Sequence, residues 1–311
     1  MAQPLDPRRP EAIWFKRIKP RLLLKQINPA HACWVTLPPR IGSVTRFLLP
    51  LVWISTAAIS QTIQFSAVSQ DIVEKRLGAY ESKNDKREPA VRKIFEDAGC
   101  GEEKLTEQPV KGLKAPNLIC TLPGVTEAVI VVGAHFDLLE AGNGVIDNWS
   151  GASLLPSLYQ GIAGVPRRHT FRFVAFSGEE KGLVGSKAYV LELGKTHEQV
   201  IAMVNMDTLG LAETEIWASH ADPKLLLLMD IVATALKLPV SGVNVERVGS
   251  TDSEPFREKK IPAITIHSLT QQTLNVLHSP KDRIEAVHID EYYRTYRLVL
   301  GYLALLDQKL D

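Results

Sequence analysis

The chain has 311 residues, of which 45% are apolar and 23% charged, the composition of an ordinary globular protein with room for one large α/β domain or two smaller ones. Its 36 lysines and arginines nearly balance its 35 aspartates and glutamates, and after residue 60 the balance turns mildly acidic, which excludes a nucleic-acid footprint on the body of the protein. The basic residues gather at the start: residues 1–60 hold nine of them, including Arg8, Arg9, Lys16, Arg17, Arg40 and Arg46, against Asp6 and Glu11.

Within that leader, residues 47–59 (FLLPLVWISTAAI) are uncharged and mostly apolar. The run falls short of the roughly 20 residues that a spanning helix needs but has the length of a signal-peptide core, about 7–15 residues. Residues 1–60 are therefore expected to be a basic leader with a signal peptide or an N-terminal anchor at 47–60. The protein is expected to be exported, periplasmic or secreted, and membrane-bound only if that segment is an uncleaved anchor; a buried helix is the other reading of the run. No methionine lies between Met1 and Met203, and residues 1–43 read as an over-extended start or a disordered tail. Cys33, Cys100 and Cys120 lack the spacing of a structural zinc site. Cys100 and Cys120 flank one short segment and can pair in an oxidising compartment; two free thiols are the alternative.

From residue 61 a single domain is expected to run to 311. Two helical patterns occupy about 69–98, the second over 88–95 after a polar stretch at 81–87. Short strands follow at 107–110 and 117–122, and then a β-branched run at 128–133 that reads as a strand buried on both faces. Beyond it the pattern alternates: helix 150–162, strand 170–177, helix 183–193, strands 200–206 and 213–218, helix 223–236, strand 261–266 and a long helix 290–306. Such alternation predicts an α/β fold with a mixed, largely parallel central sheet flanked by helices on both faces.

In an open sheet of this kind, ligands collect at the carboxyl ends of the strands, and four strands here end in metal-binding residue types. The first ends at His135 and Asp137; residues two apart in a strand face the same side, so Asp137 can accept the second ring N–H of His135 and set its tautomer. Asp147 follows in the glycine-bounded loop before the next helix. The second strand ends in Glu179-Glu180, the third in Asp207, and the fourth leads to a loop carrying His278 and Asp282. Each piece alone also suits a surface turn. His169, His197, His220, His267 and His288 stand outside any such cluster and read as structural or surface residues.

The segments GAHFD, GVIDNWSG, FVAFSGEEKGLVGS, VNMDTLG and LHSPKD, in this order between residues 131 and 282, resemble the M28 family of co-catalytic zinc aminopeptidases. The resemblance implies two Zn²⁺ cofactors in a zinc-peptidase-type fold, with His135 and Asp207 on one ion, Glu180 and His278 on the other, and Asp147 as the bridge. It implies Glu179 as general base and Asp137 as the partner that orients His135. Peptides with a free N-terminus are then the partners and substrates. Three positions depart from the pattern of many relatives. Ser253 stands where histidine is common, which puts substrate contacts in question; Leu277 stands where some relatives carry a tyrosine; and Arg283 replaces a small hydroxyl residue. A glutaminyl cyclase of the same fold with a single zinc is the alternative enzyme, and a binding protein that kept only the fold is a third reading.

Overall fold

In the computed structural model, residues 61–311 are described apart from 102, 197 and 246–248, together with two short strands nearer the start. In chain order the elements are β1 (Leu23–Leu24), β2 (Cys33–Leu37), β3 (Gln61–Phe65), α1 (Gln70–Leu77), α2 (Asn84–Asp97), β4 (Leu105–Gln108), β5 (Asn117–Leu122), β6 (Val129–His135), α3 (Ser150–Ala163), β7 (Thr170–Phe176), α4 (Val184–Thr196), β8 (Val200–Met206), β9 (Thr214–Ile216), α5 (Pro223–Leu236), β10 (Val240–Gly242), α6 (Glu254–Glu258), β11 (Ala263–His267) and α7 (Ile289–Lys309).

Eight strands form one sheet in the order β10-β9-β11-β8-β6-β7-β5-β4. β6, β7, β8 and β11 are parallel, with β6 between β7 and β8, and antiparallel pairings join β5 to β7 and β9 to β11. The sheet is thus mixed and largely parallel, as the alternating pattern requires. All seven residues of β6 are buried, which explains why VIVVGAH carries no polar alternation. Its side chains alternate between two cores. Ile130, Val132 and Ala134 join the larger cluster with Trp149, which precedes α3, and with Leu158, Tyr296 and Leu300 from α3 and α7. Val129 and Val131 join Phe176, Tyr189 and Phe256 on the opposite face, under α4 and α6. Burying one such aliphatic or aromatic side chain contributes roughly 1.5–3 kcal/mol, so both faces are held mainly by apolar packing. Gly133 leaves no room for a Cβ between the Phe176 ring and Met203.

Several elements differ from the sequence expectation. The strand expected at 107–110 lies at Leu105–Gln108, where Leu105 faces Cys120 across β5. α2 begins at Asn84, inside the stretch read as a polar spacer, because the charged Arg87 is fully buried and serves as an interior position. The three-residue edge strand β10 and the five-residue α6 are too short to leave a periodic signature.

Cys100 and Cys120 are joined as a disulfide, both fully buried, tying the segment after α2 to β5. A second, three-stranded sheet has the order β1-β2-β3, and β2 is paired antiparallel along its length with β3. β1 and β2 fall within the segment expected as a leader. The hydrophobic run at 47–59 lies outside the described residues. Among the described residues no helix is long and apolar enough to cross a membrane.

Candidate metal centre

The four parallel strands end on the same side of the sheet, and the chemistry-bearing residues sit on their exits. His135 is the last residue of β6. The Asp137 carboxylate beyond it lies 3.5 Å from His135 Nδ1 and accepts the backbone N–H groups of Glu179 (3.0 Å) and Glu180 (3.2 Å). One side chain therefore lies beside the histidine ring and fastens the turn after β7. That turn is tight: Gly178 and Gly182 both have positive φ, and the N–H groups of Gly182 and Leu183 donate to the Glu179 carbonyl.

Asp147 stands at the middle of the cluster. Its Oδ1 is 3.2 Å from His135 Nε2 and its Oδ2 is 3.2 Å from His278 Nε2. Glu180 Oε2 is 3.3 Å from the same His278 nitrogen, and Asp207 Oδ1 is 3.8 Å from His135 Nε2. Two sets of ligand atoms result, each within 4.8 Å: His135, Glu179 and Asp207 in one, Asp147, Glu180 and His278 in the other. All seven residues singled out in the sequence therefore converge. Glu179 thus stands beside His135 and Asp207.

Charge crowding is severe. Glu179 is pushed up to about 10 by burial, with the pull of His135 opposing and Asp252, Asp207 and Asp147 reinforcing. Glu180 rises to about 7, through burial and then the charge of Asp147. His278 is pushed up to about 9, chiefly by its hydrogen bond to Asp147. Burial works against a charged His135, yet Glu179 and the adjacent carboxylates of Asp137, Asp147 and Asp207 hold it well above the imidazole range. Glu180 Oε1 is buried without a hydrogen-bond partner. Carboxylate oxygens and imidazole nitrogens that repel or orphan one another in this way fit a divalent cation of the zinc type. His278 has φ 51°, a left-handed backbone uncommon for a non-glycine residue and of the kind held in place at functional sites.

Neighbouring side chains to which the sequence assigned no role complete the site. Asp282 accepts the N–H of Ile146 (2.6 Å) and of Asp147 (3.2 Å). Asn148 donates to the Met206 carbonyl and accepts from Gly151 N–H, joining the Asp147 loop to the end of β8. Thr251 donates to Asp207 Oδ2 (2.6 Å) and accepts from Asn205 (2.7 Å). Asp252 is fully buried with neither oxygen hydrogen-bonded, and burial pushes its carboxyl up to about 7. Asn148 and Asp282 lie in the segments GVIDNWSG and LHSPKD, whereas the signal for Thr251 and Asp252 is the cluster of hydroxyl and acid residues at 250–253, which on its own reads as a turn.

A cavity of about 90 Å³ opens beside Asp147, Glu179 and Glu180, with Trp217, Val245, Leu269, Leu277, Thr265 and His267 in its wall. His267, expected to be structural or surface, is buried in that wall. Leu269 N–H donates to its Nδ1 (3.0 Å), which leaves the proton on Nε2 facing the Val243 carbonyl (3.3 Å). Ser253 does not reach the cavity; it is buried and paired with Thr265 at 2.8 Å, so its departure from the family pattern changes an interior contact. Leu277 lines the cavity, and Arg283 is exposed. His169 is engaged with Asp307 far along the chain, His220 stacks on Trp217 at 4.1 Å, and His288 precedes α7. His197 lies outside the described residues.

A sequence model of peptidase family M28 matches residues 117–303, more than half of the chain, and the chain belongs to that family. A protein named probable leucine aminopeptidase from Arthroderma benhamiae is 26% identical over 201 residues, covering 60% of this chain and 56% of that protein. The chain thus spans little more than half the length of such curated relatives. A solved zinc aminopeptidase from Bacillus subtilis superposes with a TM-score of 0.56 at 24% identity, over 61% of this chain and 49% of that one. A glutaminyl cyclase from Fimbriiglobus ruber superposes with a TM-score of 0.63 at 18% identity, over 78% of this chain and 98% of that one. Likeness at these identities establishes the shared fold.

Proposed function

We propose that the protein is an aminopeptidase that uses two zinc ions to hydrolyse the N-terminal residue from peptides. The observation that carries this reading is the Asp147 carboxylate with one oxygen 3.2 Å from His135 Nε2 and the other 3.2 Å from His278 Nε2, the placement of a bridging ligand. His135 and Asp207 complete one position, Glu180 and His278 the other. Zinc bound there supplies Lewis acidity toward the scissile carbonyl and acidifies a water in the site.

Glu179 takes the proton of the attacking water and delivers it to the departing amine. Its carboxyl, pushed up by burial and by its acidic neighbours, becomes an ionised base when cations offset that repulsion. Asp137 keeps the proton of His135 on Nδ1, so that Nε2 is free to bind metal. Trp217, Val245, Leu269 and Leu277 favour an uncharged, apolar N-terminal side chain, in line with the names of the curated relatives. Export fits the disulfide between Cys100 and Cys120, since such bonds persist in oxidising compartments, and is read together with the hydrophobic run at 47–59.

Glutaminyl cyclisation on a single zinc is the second reading, favoured by the near-complete coverage of a solved cyclase. Metal content, together with turnover of aminoacyl-p-nitroanilides and of a peptide with N-terminal glutamine, separates the two. About two zinc per chain with release of free amino acid is expected; one zinc with pyroglutamate formation would replace the proposal by the cyclase reading.

A further inference from the structure

We infer that Arg87, with Asn84, is a positioning residue that latches the metal-site loop to the first turn of α2. The inference rests on reading the acidic cluster as a metal centre.

Arg87 is fully buried. Its Nε donates to the Glu81 carbonyl (2.8 Å). One terminal nitrogen donates to the Phe136 carbonyl (2.9 Å) and reaches that of Asp137 (3.5 Å); the other donates to the carbonyls of Asn143 (2.8 Å) and Gly144 (2.6 Å). The guanidinium thus grips the chain on both sides of the excursion at 138–142, just after His135 and just before Asp147. Asn84, one turn earlier, donates to the Leu138 carbonyl and accepts the Leu138 N–H, both at 3.0 Å. Asp282 in turn holds the N–H groups of Ile146 and Asp147. The loop is therefore held by a cation on its carbonyls and by an anion on its amides.

A merely structural arginine would be expected to sit against a carboxylate, because a buried charge is stabilised mainly by a paired one. Every hydrogen bond found here goes to a neutral backbone carbonyl, and the ring of Trp149 lies 5.5 Å away. The anions that act on Arg87 are Asp282, Asp137, Asp147 and Glu180, all in or beside the metal cluster. A rigid planar fork is what satisfies carbonyls in two directions at once; lysine keeps the charge but loses that geometry. Arg87→Lys therefore separates the latch from the electrostatics.

The test uses the full chain. Zinc affinity is measured by competition with a chromophoric chelator, the cobalt-substituted visible spectrum is recorded, and amide exchange over 138–147 is followed in metal-free protein. Arg87→Lys is expected to weaken zinc binding about 10- to 100-fold, the range for residues that orient metal ligands, to alter the cobalt spectrum, and to speed exchange at Ile146 and Asp147. Val91→Ala, which removes buried apolar contact from the same helix, is expected to lower thermal stability without these effects. Asn84→Ala removes only the Leu138 pair, should shift affinity the same way by a smaller factor, and decides the matter if Arg87→Lys does not fold. Wild-type affinity, spectrum and exchange in Arg87→Lys would overturn the inference, as would equal shifts in Val91→Ala. If the wild-type chain takes up no cation, the metal reading fails, and exchange in metal-free protein still decides whether Arg87 latches the loop.

Discussion

The backbone N–H of Asp147 donates to Asp282 Oδ2 at 3.2 Å, so the proposed bridging ligand and the loop that carries His278 are joined by a side chain belonging to neither metal position. Asp282 also accepts from Ile146 N–H at 2.6 Å, and its own carbonyl accepts from Asn143 N–H. Hydrogen bonds to a charged group contribute about 1.5–3 kcal/mol each. Asp282→Ala is therefore expected to destabilise the metal-free protein by about 3 kcal/mol, read from urea unfolding. A loss below about 1 kcal/mol would mean that the two loops are held together without this carboxylate.

Glu179 and Asp147 should separate chemistry from metal binding. Glu179→Gln is expected to keep zinc and to lose about 10²- to 10⁴-fold in kcat, the usual contribution of a positioned acid–base group. Asp147→Asn should lose zinc, because one amide cannot present two anionic oxygens to His135 and His278. Atomic absorption and steady-state kinetics check both, and full activity in Glu179→Gln would refute its role as base.

His267 predicts a pH dependence of stability. Burial pushes its imidazole down from 6.5 to about 4. As pH falls through 6.5 the unfolded chain takes up this proton first, whereas the folded chain resists until about pH 4. Between those values the unfolded state binds more protons, so stability falls as the pH is lowered; above 6.5 the contribution is intact. His267→Gln should flatten the stability curve between about pH 6.5 and 4 by about 3 kcal/mol relative to wild type, measured in metal-free protein. Parallel curves for the two proteins would show that His267 is not the group responsible.

The disulfide closes a loop with a sequence separation of 20. Replacing Cys100 and Cys120 by alanine should lower stability by about 3 kcal/mol. Peptide mapping without reductant should recover the two cysteines in one linked fragment; separate thiol peptides would remove both this stabilisation and its support for export.

How much was legible follows from the range of each interaction. β6, β7 and β8 could be read because a strand buried on both faces must be apolar throughout, and a polar residue at its exit then stands out. The residues on those exits, with Asp147 and His278 in their loops, formed a series recognisable by order and spacing. Arg87 was hidden because its partners are backbone carbonyls some 50 positions away in the chain, which leave no mark on side-chain pattern. Thr251 and Asn205 were hidden for the same reason, since a hydroxyl bonding Asp207 across 44 positions looks locally like a turn residue. The polar stretch at 81–87 conceals the start of α2 because hydropathy counts a guanidinium as a surface group, although N–H donors aimed at carbonyls satisfy it in the interior.

The sequence by itself determined the alternation of strands and helices, the strand that is buried on both faces, and the identity of the acids and imidazoles, all consequences of local pattern and side-chain chemistry. Only the tertiary structure decided that Asp147 lies between His135 and His278, that Ser253 turns inward to Thr265, and that Asp282 and Arg87 grip one loop, the one by its amides and the other by its carbonyls. Those are angles and distances between segments far apart in the chain, and they exist only once the two cores have brought the strand ends together.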